Sequence, residues 1–168
     1  EQGTRGCISQ QAERAVRDHA DENYDIIMID GGCNDWSLDR PLGTITGTVG
    51  QYTVSDYTAT FSKATILGAL ESIFQTLRGT FVQAIIIFVI PHKHTRTGQF
   101  WEEILNGIRE VCKKWSIIVL DMDQNGELNT RLTAMRIYTD AGGTHPNTEG
   151  TKKFYLPYLT EQLLKFFR

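Results

Sequence analysis

The sequence predicts an α/β fold, a three-layer αβα sandwich built on a parallel sheet. Three observations predict it. Three short runs are continuously apolar and rich in Ile and Val: YDIIMID (Tyr24 to Asp30), AIIIFVI (Ala84 to Ile90) and SIIVLDM (Ser116 to Met122). Helical patterns separate and flank these runs. At 168 residues, with no repeats and no low-complexity tract, the chain fits one domain, since domains commonly run to about 100–200 residues.

Each element follows from its pattern. Continuous rather than alternating apolarity marks strands covered on both faces, as in parallel sheets. SQQAERAVRDHADE (Ser9 to Glu22) reads as a helix before the first strand. FSKATILGALESIFQTLR (Phe61 to Arg78) lies between the first and second strands, and GQFWEEILNGIREVCKKW (Gly98 to Trp115) between the second and third. TEGTKKFYLPYLTEQLLKFF (Thr148 to Phe167) closes the chain as an amphipathic helix with one side on the sheet. Strand–helix–strand alternation gives right-handed parallel crossovers. Three strands are few for so many helices. Together with the abrupt start EQGTRGC, this gives the expectation that one or more strands precede Glu1.

Composition narrows the function classes. A net charge of -3 offers no electrostatic case for nucleic acid or an anionic membrane. No apolar run approaches the roughly 18 residues of a transmembrane helix. Cys7, Cys33 and Cys112 are odd in number and lack CxxC spacing, which argues against a disulfide framework and a structural zinc site. Compartment and oligomeric state are not legible.

Two long loops leave the carboxyl ends of strands, from Cys33 to Thr58 and from Asp123 to His145. Ligands of open α/β sheets bind at that edge. At the end of the second loop stands TDAGGTHPNTEG (Thr139 to Gly150). Pro146 and Asn147 suit a helix start, with Pro in the first turn and Asn147 or Thr148 as cap. His145 is thereby held just before the last helix. Two readings fit it, a general base and a loop His that helps cap the helix. Asp140 either orients that imidazole or is a solvated turn residue beside glycines. In GGCNDW (Gly31 to Trp36), Asn34 either donates its amide to an oxyanion or belongs to an Asn-Asp turn. Gly6, before the first helix, is either a second donor at a helix N-terminus or a simple cap.

Taken together these pieces resemble the SGNH (GDSL-type) hydrolases over the whole chain. The matching residues are Gly6 in RGCISQQ, GCND (Gly32 to Asp35) after a strand, PLGT (Pro41 to Thr44), and HPNTEG (His145 to Gly150) before the last helix. The two motifs GxND and HPNxxG, far apart in the chain with αβ segments between them, are more specific jointly than singly. The resemblance implies a flavodoxin-like fold and a Ser-His-Asp esterase that needs no metal or organic cofactor. It assigns His145 as base, Asp140 as its orienting partner, and Asn34 with Gly6 as the oxyanion hole.

The chain departs from the family pattern twice. The nucleophilic Ser belongs to a GDS stretch, which is absent here, so the nucleophile is expected outside this chain; Ser9, Ser37 and Ser55 do not sit in a strand–turn–helix elbow. The family places its Asp three residues before the His, where this chain has Gly142; Asp140 stands five before. Two further residues are candidate substrate contacts: Trp36, which either stacks on a sugar or acyl group or simply roofs its loop, and His92, which with His94 follows the second strand in IPHKHTRTG and is read as a loop-edge contact near the site rather than half of a zinc-binding HxH, since no third ligand stands nearby. The expected substrate is a small acyl ester or an O-acylated carbohydrate. The alternative is a catalytically inactive domain of the same fold that binds a glycan or a partner protein.

Overall fold

The computed structural model describes residues 8–46, 54–95 and 98–166. Their contacts form two compact units, Glu1–Phe88 with Gln99–Val119, and Val89–Gly98 with Leu120–Arg168. The sheet is parallel and three-stranded, in the order β1 (Ile26–Asp30), β2 (Ile85–Ile90), β3 (Ile118–Asp121). All three expected runs are strands, and the expected α/β class is observed.

In the first unit, α1 (Ile8–His19) packs on α3 (Ile66–Thr80), and α3 on α4 (Gln99–Lys114). Thr65 caps α3, its side chain accepting from the Gly68 N–H at 3.3 Å. The core side of α4 is Ile104, Leu105, Ile108 and Val111, all fully buried. Burying such side chains stabilises by about 1.5–3 kcal/mol each. β2, the central strand, is buried from Ile86 to Ile90.

β1 departs from the expectation of cover on both faces. Its residues are half-buried or exposed, and Met28 is 42% accessible. It lies at one margin of the sheet, paired with β2 alone. An apolar groove of about 280 Å³ runs beside it, lined by residues including Ala12, Ala15, Ile27, Met28 and Leu77.

The first long loop is partly helical. α2 (Cys33–Ser37) follows β1 at once, and a 3₁₀ turn spans Val54–Tyr57. Farther along, the loop is tied to a buried cation. Lys114 has no solvent exposure. Its Nζ pairs with Asp56 at 2.9 Å and with Glu71, donates to the Thr46 carbonyl, and lies 5.3 Å from the Phe61 ring centre. The Thr46 N–H donates to the other Glu71 oxygen at 2.9 Å.

In the second unit, β3 runs into α5 (Met122–Asn125), and a 3₁₀ segment spans Thr133–Tyr138. The closing helix comes in three pieces: α6 (Thr148–Gly150), a π-helical turn (Thr151–Tyr155) and α7 (Leu156–Leu164). Pro146 stands outside this helix rather than in its first turn, because Asn147 takes the cap position. Among the described residues no helix is long and apolar enough to cross a membrane.

Candidate active site

The segment that carries His145 is a small hairpin. Thr139 and Pro146 form an antiparallel bridge. On either side of it, the Asn147 N–H donates to the Tyr138 carbonyl at 3.0 Å and the Asp140 N–H to the His145 carbonyl at 2.8 Å. Asp140 builds the tip. Its carbonyl accepts from the Gly143 N–H at 3.0 Å, and its Oδ1 from the Thr144 N–H at 2.8 Å. Partial burial acts to raise its carboxyl. The N–H groups of Thr144, His145 and Gly142 and the nearby His145 imidazole outweigh that and hold it below the usual carboxylate range. Among the described residues, no side-chain hydrogen bond joins Asp140 to the His145 ring. Asp140 acts on His145 through the turn and through charge.

Asn147 fastens the hairpin to the closing helix. Its Oδ1 accepts from the Gly150 N–H at 3.0 Å, and its Nδ2 donates to the Ile137 carbonyl at 2.7 Å. Gly150 is required by close approach, since a Cβ there would sit 2.0 Å from the Tyr138 carbonyl oxygen. This gives the Asn and the Gly of HPNxxG structural work in holding His145, which itself is exposed. Gly150→Ala is expected to lower stability by about 1–3 kcal/mol or more, as forced overpacking does. Gly79→Ala, at a helical position with nothing within 4 Å, is expected to be neutral or slightly stabilising. Urea unfolding of the two variants checks the contrast.

His92 requires a correction. Expected as a substrate contact, its ring is 1% exposed and faces protein on both nitrogens. Nδ1 lies 2.6 Å from the Tyr155 hydroxyl and Nε2 3.2 Å from the Gly143 carbonyl. His94 is fully buried and stacks on it, ring centres 4.6 Å apart at 12°. Burial drives the His92 pKa down, with the His145 charge; the Gly143 carbonyl and Asp140 oppose this. The sign follows. A His whose folded pKa lies below its unfolded value stabilises fully above the unfolded value and loses that contribution as pH falls through the folded one. Thermal stability should therefore decline below about pH 6.5, the ordinary imidazole value, and His92→Gln should flatten that decline in scans across pH.

Sequence reasoning missed the residues that clamp this hairpin. Thr130 Oγ1 donates to the Gly143 carbonyl at 2.9 Å, and Thr95 Oγ1 to the Gly142 carbonyl at 3.0 Å. Tyr155 reaches His92 across 63 positions of chain. No local motif signals such partners.

In the first unit, Gly32 caps α2 with a left-handed φ of 97°. Asn34 is exposed in the first turn of that helix, so GGCND is a helix start rather than a plain turn. Asp35 points inward, 3.8 Å from Arg40. Burial raises its carboxyl and Arg40 opposes the rise. Trp36 packs edge-on against Trp101, ring centres 6.5 Å apart. Gly6 lies outside the described residues. Cys112 is buried, which pushes its thiol up and leaves it inert. No three His, Cys, Asp or Glu residues among those described are grouped to hold a metal.

No family model and no curated protein matches the sequence. Solved structures do. One, a protein from Lactobacillus plantarum, is 19% identical with a TM-score of 0.67, over 98% of this chain and 74% of that one. A possible lipase from Chitinophaga pinensis is 16% identical with a TM-score of 0.64, over 96% of this chain and 80% of that one. A proposed GDSL-like lipase from Bacteroides ovatus is 20% identical with a TM-score of 0.54, over 86% of this chain and 54% of that one. A further matched structure is spanned over 62% of its length. At these identities the likeness shows the fold alone, an α/β fold shared with a possible lipase and a GDSL-like lipase.

Proposed function

We propose that this chain carries the base of a serine esterase that cleaves a carboxylic ester through an acyl-enzyme. The observation that supports the reading is His145. It is an exposed imidazole at the end of a hairpin tip built by Asp140, directly before the Asn147-capped helix, in a hydrolase-type fold.

In this reading His145 takes the proton of a nucleophilic serine as the hydroxyl attacks the ester carbonyl. It returns the proton to the departing alkoxide. Water, deprotonated by the same imidazole, then releases the acid. The Asp140 carboxylate stays ionised well below neutral pH and favours the imidazolium that forms. Asn34 and Gly6 keep the oxyanion role that the resemblance implies. Each such donor is worth about 3–4 kcal/mol when aimed at the developing charge. The substrate is a small acyl ester or an O-acyl carbohydrate, in keeping with polar loops. The test is hydrolysis of p-nitrophenyl acetate by the full-length protein and its His145→Ala form. Equal rates would remove the reading.

A second reading keeps the fold without the chemistry, as a domain that binds a glycan or a partner protein. The lack of a direct Asp140–His145 bond among the described residues favours it.

A further inference from the structure

We infer that His92 is a positioning residue for His145, acting as a fixed hydrogen-bond donor from the end of β2 into the hairpin tip. The inference deepens the esterase reading and rests on His145 being its base.

The proton arrangement at His92 is determined by its neighbours. Nε2 faces the Gly143 carbonyl, which can only accept, so Nε2 carries the hydrogen. In the neutral ring Nδ1 then accepts, and the Tyr155 hydroxyl donates to it. The Tyr155 oxygen in turn receives the His92 backbone N–H at 3.3 Å. One tautomer satisfies every member of this chain. The buried His94 stacks on one face of the His92 ring. The π-helical turn Thr151–Tyr155 ends on the tyrosine that meets Nδ1. Single π turns inside α-helices are frequent at functional sites.

The accepting carbonyl is well chosen for control of His145. Gly143 has a φ of 69°, and a Cβ there would lie 2.8 Å from Thr95 Cγ2. Its N–H is already committed to the backbone carbonyl of Asp140, the residue whose carboxylate holds Thr144. Its carbonyl takes two donors, His92 Nε2 and Thr130 Oγ1. The tip is thus gripped from within by Asp140 and from outside by His92 and Thr130. Releasing the outer grip at Gly143 leaves the glycine pair at the tip, between Asp140 and His145, held by Thr95 and Asp140 alone. Catalytic geometry tolerates little of this, since a displacement of about 1 Å can cost 10²-fold in rate.

The experiment uses the full-length protein with His92→Leu and His92→Gln. Glutamine places an amide N–H near the position of Nε2; leucine does not. Two readouts are taken: amide hydrogen exchange at Asp140 and Thr144, and kcat with KM for p-nitrophenyl acetate, with His145→Ala assayed alongside. In His92→Leu both amides should exchange at least tenfold faster while the Gly150 amide keeps its protection. The kcat should fall by up to about 100-fold, the cost of a displacement of about 1 Å in a catalytic group, with KM within twofold. His92→Gln should recover most of both. Unchanged exchange at Asp140 and Thr144 in His92→Leu would overturn the positioning role whatever the activity. Faster exchange with an unchanged kcat, where His145→Ala is inactive, would overturn its catalytic consequence. If His145→Ala is as active as the parent, the esterase reading fails by itself, and the exchange data still decide whether His92 holds the tip.

Discussion

His145→Ala in the full-length protein is expected to reduce kcat for p-nitrophenyl acetate by about 10⁴-fold or more, with kcat/KM falling in parallel. On the esterase reading the loss is large because the imidazole serves both half-reactions, and nothing beside it on the hairpin can replace it. Asp140 is a weak base, held below the usual carboxylate range by the turn it builds. His92 is buried with both nitrogens engaged. KM should hold, because an interaction that matters only as the proton moves does not contribute to ground-state binding. Circular dichroism should be unchanged, since the exposed ring supports no packing. Labelling by a fluorophosphonate should fall with kcat, which separates active-site turnover from slow hydrolysis by surface nucleophiles. A variant that keeps its rate and its labelling would leave only the binding reading.

Much of this fold was legible because one physical signal dominates it. A strand buried between helix layers must be apolar at every position, and IIIFVI can hardly be read otherwise. His145, Asn147 and Gly150 were legible as a motif, although only coordinates explain the glycine, whose missing Cβ leaves room for the Tyr138 carbonyl. The clamp around Gly143 was not legible. It joins side chains 13 to 63 positions apart through one carbonyl and one ring, and hydrogen bonds between distant residues leave no periodicity. His92 was misplaced for a related reason. A His after a strand reads as a rim residue, and only the tyrosine and the carbonyl that meet it reveal a buried ring. Glu71 and Lys114 did carry a signal that went unread. Glu71 falls among Leu67, Leu70, Phe74 and Leu77, and Lys114 follows Ile104, Ile108 and Val111, on the stripes that helical spacing assigns to the core. Charges of opposite sign on two apolar stripes invite the expectation of a buried pair.

That pair sets the second large effect. Lys114→Ala is expected to cost about 3–5 kcal/mol of unfolding free energy, the range for removing one partner of a buried ion pair. The loss goes beyond missing attraction. Asp56 and Glu71 would be left as buried carboxylates facing one another's field, and the Thr46 carbonyl would lose its donor. Glu71→Gln should cost less, about 1–3 kcal/mol, because Lys114 keeps Asp56 and the amide can still meet Thr46 or the cation. The ranking therefore matters more than either value. It separates a stranded-charge cost from a packing cost, since removal of the lysine side chain also empties the buried space beside Phe61 and Trp115, over whose rings its Nζ lies. Lys114→Met refills most of that space without the charge, so it should remain close to Lys114→Ala. Urea unfolding reads all three variants. If Lys114→Met were as stable as the parent at neutral pH, the cation would be a passive guest of the core and Asp56 and Glu71 would not depend on it.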